Sequence, residues 1–196
     1  MKLPLGSLAG VGSVACCCGR TADRASLRCV TRVDDLIGDL IGDLDAAIEG
    51  LRLASTTDQR RRALTVVLAE LYKLRSLRVG KGRMQRAYYA RARAVYGGRV
   101  AEGISLIRGD MTHDVTKEID PSHQMLHPGM GLLPGEHLHP GPQLIWLHPD
   151  DMAPPHEVNR AEVRFPDYEQ VVGRQPVLTT LVAARDFLAN DPGPCL

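Results

Sequence analysis

Aromatic side chains are scarce in this chain of 196 residues, which holds one Trp, two Phe and five Tyr. Its core must therefore be built from Leu, Val, Ile and Ala, and that favours helices over sheets. No apolar run approaches the roughly 20 residues needed to cross a bilayer, so a membrane span is not expected. Cysteine lacks a pattern: five are present, an odd number, and Cys16, Cys17 and Cys18 are adjacent. That spacing suits neither a disulfide framework nor a zinc site and fits a reducing, cytoplasmic setting. An overall charge is missing too, with 24 Lys and Arg against 23 Asp and Glu. What remains is the composition of a soluble globular chain, long enough for one domain with appendages.

The start, "MKLPLGSLAGVGSVACCCGR", has one Lys and a weakly apolar, Gly- and Ser-containing stretch before the three cysteines. Ser13 stands where a lipoprotein signal usually carries Leu, so residues 1–31 are expected to be a poorly ordered tail. From Val33 the pattern sharpens. Val33, Leu36, Ile37, Leu40, Ile41, Leu44, Ile48 and Leu51 recur at steps of three and four, which predicts an amphipathic helix. A tandem "DLIG" sets Gly38 and Gly42 four apart, where a neighbouring helix is expected to approach closely.

Thr56 or Thr57 suits the cap of a second helix over 58–78, with Leu64, Val67, Leu68, Leu71 and Leu74 as its apolar stripe. "VGKG" at 79–82 reads as a turn. A third helix is predicted over 84–96, broken by Gly97 and Gly98, and a fourth over 99–116 with Val100, Ile104, Ile107 and Met111 inward. The predicted class is all-α: an antiparallel four-helix bundle over 32–118 on short connections.

Charge divides unevenly along these helices. The first carries Asp34, Asp35, Asp39, Asp43, Asp45 and Glu49, while the stretch from Arg60 to Arg99 is almost wholly basic and holds only Glu70 in opposition. Arg75, Arg78, Lys81, Arg83, Arg86, Arg91 and Arg93, with Tyr88 and Tyr89 interleaved, are the pattern of a phosphate-backbone surface and mark RNA as the candidate partner. The competing reading has the acidic helix packed beside the basic ones and neutralising them, within the bundle or across a homodimer.

All seven His lie between His113 and His156, in a segment that holds most of the Pro residues. Leu-His-Pro recurs at 126–128, 138–140 and 147–149. His137 with His139, and His123 with His127, allow a divalent-metal site to be imagined. No nearby Cys or matching acidic pattern accompanies them, so no metal or other cofactor is assigned. Because Pro biases the preceding His to extended geometry, the simpler expectation for 119–160 is a looped arm anchored on the bundle by its Leu residues and Trp146. Residues 161–196 then read as a short helix ending at Gly173, a turn containing Pro176, and a last helix carrying Val177, Leu181, Val182, Phe187 and Leu188, closing as a hairpin over the bundle.

In "SLIRGDMTHDV", residues 105–115, Arg108 precedes His113 by five positions near the end of the fourth predicted helix. A helical bundle whose late helix carries Arg, four residues, then His resembles the HEPN superfamily, helical nucleotide-binding and ribonuclease domains of prokaryotic toxin-antitoxin and phage-defence systems. The resemblance covers about residues 33–118. It extends to actinobacterial HEPN-like proteins with a Trp-containing linker and a "GRPV"-like turn, here Trp146 and Gly173-Arg174-Gln175-Pro176-Val177.

The resemblance implies that Arg108 and His113 form an active pair, that the chain pairs as a homodimer, and that an antitoxin-like protein is a partner. The residue after the Arg departs from the family's usual polar choice and is Gly109. Residues five apart diverge by about 140° on an ideal helix, so the pair is expected to meet in a groove between two copies. The chemistry implied is metal-independent endoribonuclease action: His113 moves a proton at the ribose 2′-hydroxyl or leaving oxygen, Arg108 neutralises phosphate charge, and Asp110 orients the imidazole. The alternative is a non-catalytic helical interaction or RNA-binding module.

Overall fold

Thr56 starts the second helix by satisfying amide groups that a helix N-terminus leaves without partners. Its hydroxyl accepts from the Gln59 amide at 3.2 Å, and the Gln59 side chain accepts in return from the Thr56 amide at 3.2 Å. The helix α2 that follows spans Thr57–Val79 and buries the whole expected stripe of Leu64, Val67, Leu68, Leu71 and Leu74. The computed structural model describes residues 24–107, 115–119, 143–152 and 163–193. Over these the chain is mostly helical.

Helix α1 runs Arg24–Leu53, beginning ahead of the expected Val33, and packs along α2 through Ile37, Leu44 and Leu51. Gly80 and Gly82, both at φ 60°, turn the chain into α3, Arg83–Ala94. Positive φ suits residues without a Cβ. Helix α4, Tyr96–Ile104, follows after Val95, which is extended at φ −132°, ψ 149°.

The expected break at Gly97 and Gly98 is therefore displaced: the break falls on Val95 and both glycines lie inside α4. Tertiary packing explains their place. A Cβ on Gly97 would stand 2.5 Å from the Ala183 carbonyl oxygen, and one on Gly98 would collide with the backbone of Ala92. Gly103 is similarly confined, with the Tyr168 amide nitrogen 2.9 Å from the place a Cβ would take.

The fourth helix was expected to reach Thr116, and it ends at Ile104 instead. Thr116 opens a strand, β1 (Thr116–Ile119), which pairs antiparallel with β2 (Gln143–Trp146), Thr116 opposite Trp146 and Ile119 opposite Gln143. The short sheet continues into the turn before the last helix, since the Trp146 amide donates to the Gln175 carbonyl at 3.0 Å and the Arg174 amide to the Trp146 carbonyl at 2.9 Å. Strands of four residues are too short for alternation to stand out beside a helical pattern that carries Ile104 and Ile107 inward.

Trp146 is fully buried and its indole N–H donates to the Thr180 hydroxyl at 2.6 Å. His148, in the third Leu-His-Pro triplet, accepts from the Asp150 amide at 3.4 Å and caps a 3₁₀ turn over Pro149–Asp151. The Tyr168 hydroxyl donates to the Leu147 carbonyl at 2.7 Å. Trp146 and its neighbours thus tie this part of the arm to the helices, as the anchoring role predicted.

One helical turn, α5 (Phe165–Asp167), passes into a π-turn over Tyr168–Val172. The final helix α6, Val177–Asn190, packs against α1, α2 and α4, with Val177, Leu181, Ala184 and Leu188 buried. It is a member of the core, in contact with three other helices, more than a lid upon them. Among the described residues no helix is long and apolar enough to cross a membrane.

Gly38 and Gly42 depart from expectation, because nothing lies within 4 Å of the position a Cβ would occupy on either. Both are exposed. Replacing either by Ala removes a helix-interior glycine at no steric cost and is expected to raise stability by about 0.5–1 kcal/mol. Gly103→Ala is expected to lower it by about 1–3 kcal/mol, because the neighbouring backbone must move. Urea unfolding of the three variants checks both signs.

Candidate nucleic-acid interface

Helix α3 sorts its cations by face. Arg83, Arg86 and Arg93 recur at steps of three and seven along one side, while Tyr88 and Ala92 occupy the opposite side and are fully buried. Arg83, Arg86 and Arg93, with Lys81 in the turn before them, are exposed. Their side chains make no hydrogen bond or ion pair among the described residues. Four of the seven cations predicted to meet RNA thus lie on the solvent side of α3 and in the turn before it, with no partner among the described residues.

The other three are held inside the fold. Arg75 of α2 donates from Nε and Nη2 to the two carboxylate oxygens of Glu102 at 2.8 and 2.7 Å, a bidentate fork. The Tyr88 hydroxyl donates to the same carboxylate at 2.9 Å, and Glu102 is only 2% exposed. Burial disfavours the charged Arg75, but the Glu102 hydrogen bonds and charge outweigh it and raise its pKa above the ordinary arginine value. Burial, with the Glu102 charge second, likewise drives the Tyr88 hydroxyl well above its usual range. Tyr88 is therefore a core residue, and of the interleaved aromatics only half-buried Tyr89 retains an accessible edge.

Arg78 is buried and donates to the Leu188 carbonyl at 2.8 Å and the Ala189 carbonyl at 3.1 Å, closing the C-terminal end of α6. Arg91 adds a fork onto Asp191, the residue capping the same helix, at 2.5 and 3.0 Å. These two cations carry structural duties, and a phosphate would have to displace buried partners to reach them.

The acids that neutralise the basic stretch come from places the charge pattern did not indicate. Glu102 lies on α4 and Asp191 after α6; Glu118 of β1 takes Arg60 at 2.7 Å, and Asp167 of α5 takes Arg99 at 2.9 Å. The acidic helix α1 was expected to supply them in the competing reading. Among the described residues its one cross-element ion pair is Asp45 with Arg185 of α6, at 2.5 Å. Glu102 did leave a signal, as the lone acid in "RVAEGISLI", since an acid amid buried apolar neighbours implies a buried counter-charge.

Arg108, Asp110 and His113 lie outside the described residues, as do the other His residues except His148. No group of His, Cys, Asp or Glu among the described residues is arranged to hold a metal ion.

Arg75→Ala leaves the Glu102 carboxylate buried without its cation and is expected to destabilise the fold by about 3–5 kcal/mol. Arg86→Ala, on the exposed face of α3, is expected to stay within about 0.5 kcal/mol of the parent. Chemical denaturation of the pair separates the structural cations from the free ones.

Comparison with family models, with curated proteins and with solved structures returned no match to this chain.

Proposed function

We propose that this protein is a helical RNA-binding module that lays the phosphate backbone of a strand along the solvent face of α3. The observation that carries the reading is the sorting of cations: Arg75, Arg78 and Arg91 are locked into the fold, while Lys81, Arg83, Arg86 and Arg93 are exposed and have no partner among the described residues. Unpaired guanidinium groups on one helix face attract a polyanion and release its counterions on binding. Half-buried Tyr89 adds an aromatic edge beside them on which an unstacked base rests.

The same proposal assigns the helices to a HEPN-like antiparallel bundle closed by the C-terminal hairpin, acting as a homodimer in a toxin-antitoxin or phage-defence setting with an antitoxin-like partner. The continuous packing of α1 with α2, of α3 with α4, and of α6 with α1, α2 and α4 supports the bundle. Endoribonuclease action by Arg108 and His113, with Asp110 as orienting residue, is the catalytic form of this reading and rests on their spacing.

The test is fluorescence anisotropy with a single-stranded RNA between about 50 and 200 mM salt. The triple variant Arg83→Ala, Arg86→Ala, Arg93→Ala is expected to weaken binding and flatten the dependence of log K on log salt by about 2, since each phosphate neutralised on a single strand contributes about 0.7 to that slope. An unchanged slope removes the proposal. For the catalytic form, expression of the parent should arrest growth and His113→Ala should relieve the arrest in a folded protein; equal toxicity excludes His113 from the chemistry.

A further inference from the structure

Helices α3 and α6 end beside each other, tied by the fork of Arg91 on Asp191. Past these ends the chain leaves both helices, through extended Val95 after α3 and through Pro192 after the cap of α6. Between them runs a shallow groove of about 310 Å³, walled by Ala94 and Val95 from the α3 side and by Phe187 and Pro192 from the α6 side, and almost wholly apolar. That volume sits at the low end for small-molecule sites. Val95 is exposed, and half-buried Phe187 holds its ring against Tyr88 at a centroid distance of 5.9 Å. An apolar slot with a fixed aromatic ring in its wall suits a planar, unstacked base.

The charged groups at the groove are engaged with each other, and one polar side chain there keeps capacity. Asn190 donates from Nδ2 to the Asp186 carbonyl at 2.8 Å, which sets the way round its amide lies. Its Oδ1 and the second Nδ2 hydrogen have no partner among the described residues. A carboxamide offering one acceptor and one donor is complementary to the 6-amino group and N7 of adenine. The α3 cations lie within a strand's reach of it. Arg83, Arg86, Ala87, Ala90 and Ala94 recur at steps of three and four along α3 and are all exposed. Arg86 and Ala94 are about 12 Å apart along the axis, and the row between them carries only methyl side chains.

We propose that this groove takes an unstacked adenine of the RNA strand whose phosphates lie on Arg83 and Arg86, with the base against Phe187 and Val95 and its 6-amino group and N7 on the Asn190 amide. The inference rests on the RNA-binding reading and adds a preference among bases to it. Cations on phosphates treat every nucleotide alike, whereas a base edge read by an amide does not. Uracil presents a carbonyl where adenine presents its amine, and the Asp186 hydrogen bond keeps the amide from turning over to meet it.

The test is fluorescence anisotropy on the full chain with short uridine strands whose central base is adenine, a purine lacking the 6-amino group, or uracil, joined to an NMR titration with adenosine and with uridine. The adenine strand is expected to bind about tenfold more tightly than the other two, the lower end of the discrimination that a bidentate amide–adenine pair gives. Asn190→Ala, which removes an exposed side chain bonded only within its own helix, should bring the three strands to one affinity and leave the salt slope unchanged. Val95→Glu, at the exposed rim, should abolish the preference as well. The triple α3 variant should do the reverse, flattening the slope and keeping the preference.

RNA bound with the α3-dependent slope but without preference for adenine, or with a preference that survives both Asn190→Ala and Val95→Glu, overturns the inference and leaves the RNA reading standing. Adenosine carries no phosphate, so saturable shifts of the Val95 and Phe187 resonances with adenosine and not uridine, in a chain whose RNA binding ignores the α3 cations, would remove the RNA reading and keep the base specificity of the groove. Binding of neither strand nor nucleoside removes both. A change of sedimentation in Val95→Glu with base preference unmoved assigns the groove to a contact between copies and overturns the inference.

Discussion

The Arg75–Glu102–Tyr88 cluster is the interaction on which the helical arrangement depends. It joins α2, α3 and α4 through one carboxylate that is 2% exposed. A carboxylate so placed is tolerable only with its cation and hydrogen bonds in position, because desolvation of an unpaired charge costs several kcal/mol. The cluster thereby fixes the rotation of α3 about its axis. Tyr88 must point at Glu102, and the opposite face, with Arg83, Arg86 and Arg93, must point to solvent. A structural constraint in the core thus sets the orientation of the proposed binding face.

Helix α6 carries a second constraint. It packs on α1, α2 and α4, and its C-terminal end is closed by two arginines from α2 and α3, Arg78 on carbonyl oxygens and Arg91 on Asp191. Close approach of α4 to α6 requires Gly97, just as approach of the π-turn to α4 requires Gly103. Glycines that look like helix breakers in isolation are here the condition for burying one helix against another. Gly38 and Gly42, which looked like such a condition, face open space.

Part of this architecture was legible in the residues. The stripe of Leu64, Val67, Leu68, Leu71 and Leu74 placed α2, the Thr56–Thr57 pair marked its start without choosing between the two, and Gly80 and Gly82 placed the turn after it. These features are local: their physics involves residues at most one or two helical turns apart, so periodicity and capping chemistry report them directly. The anchoring by Trp146 was also readable, since a single large aromatic in an irregular segment has few places to go but the core.

What the sequence by itself determined is therefore the helical character, the principal apolar faces and the presence of an unusual excess of arginine between Arg60 and Arg99. Only the tertiary structure decided which arginines carry free charge. Arg75 finds Glu102 from 27 positions away, and Arg91 finds Asp191 from 100 positions away. The β1–β2 pairing, the helix break at Val95 and the role of Gly97 were decided the same way, by segments distant in the chain. An ion pair or a ladder bond depends on the position of both partners in space, and one-dimensional spacing records only their identities.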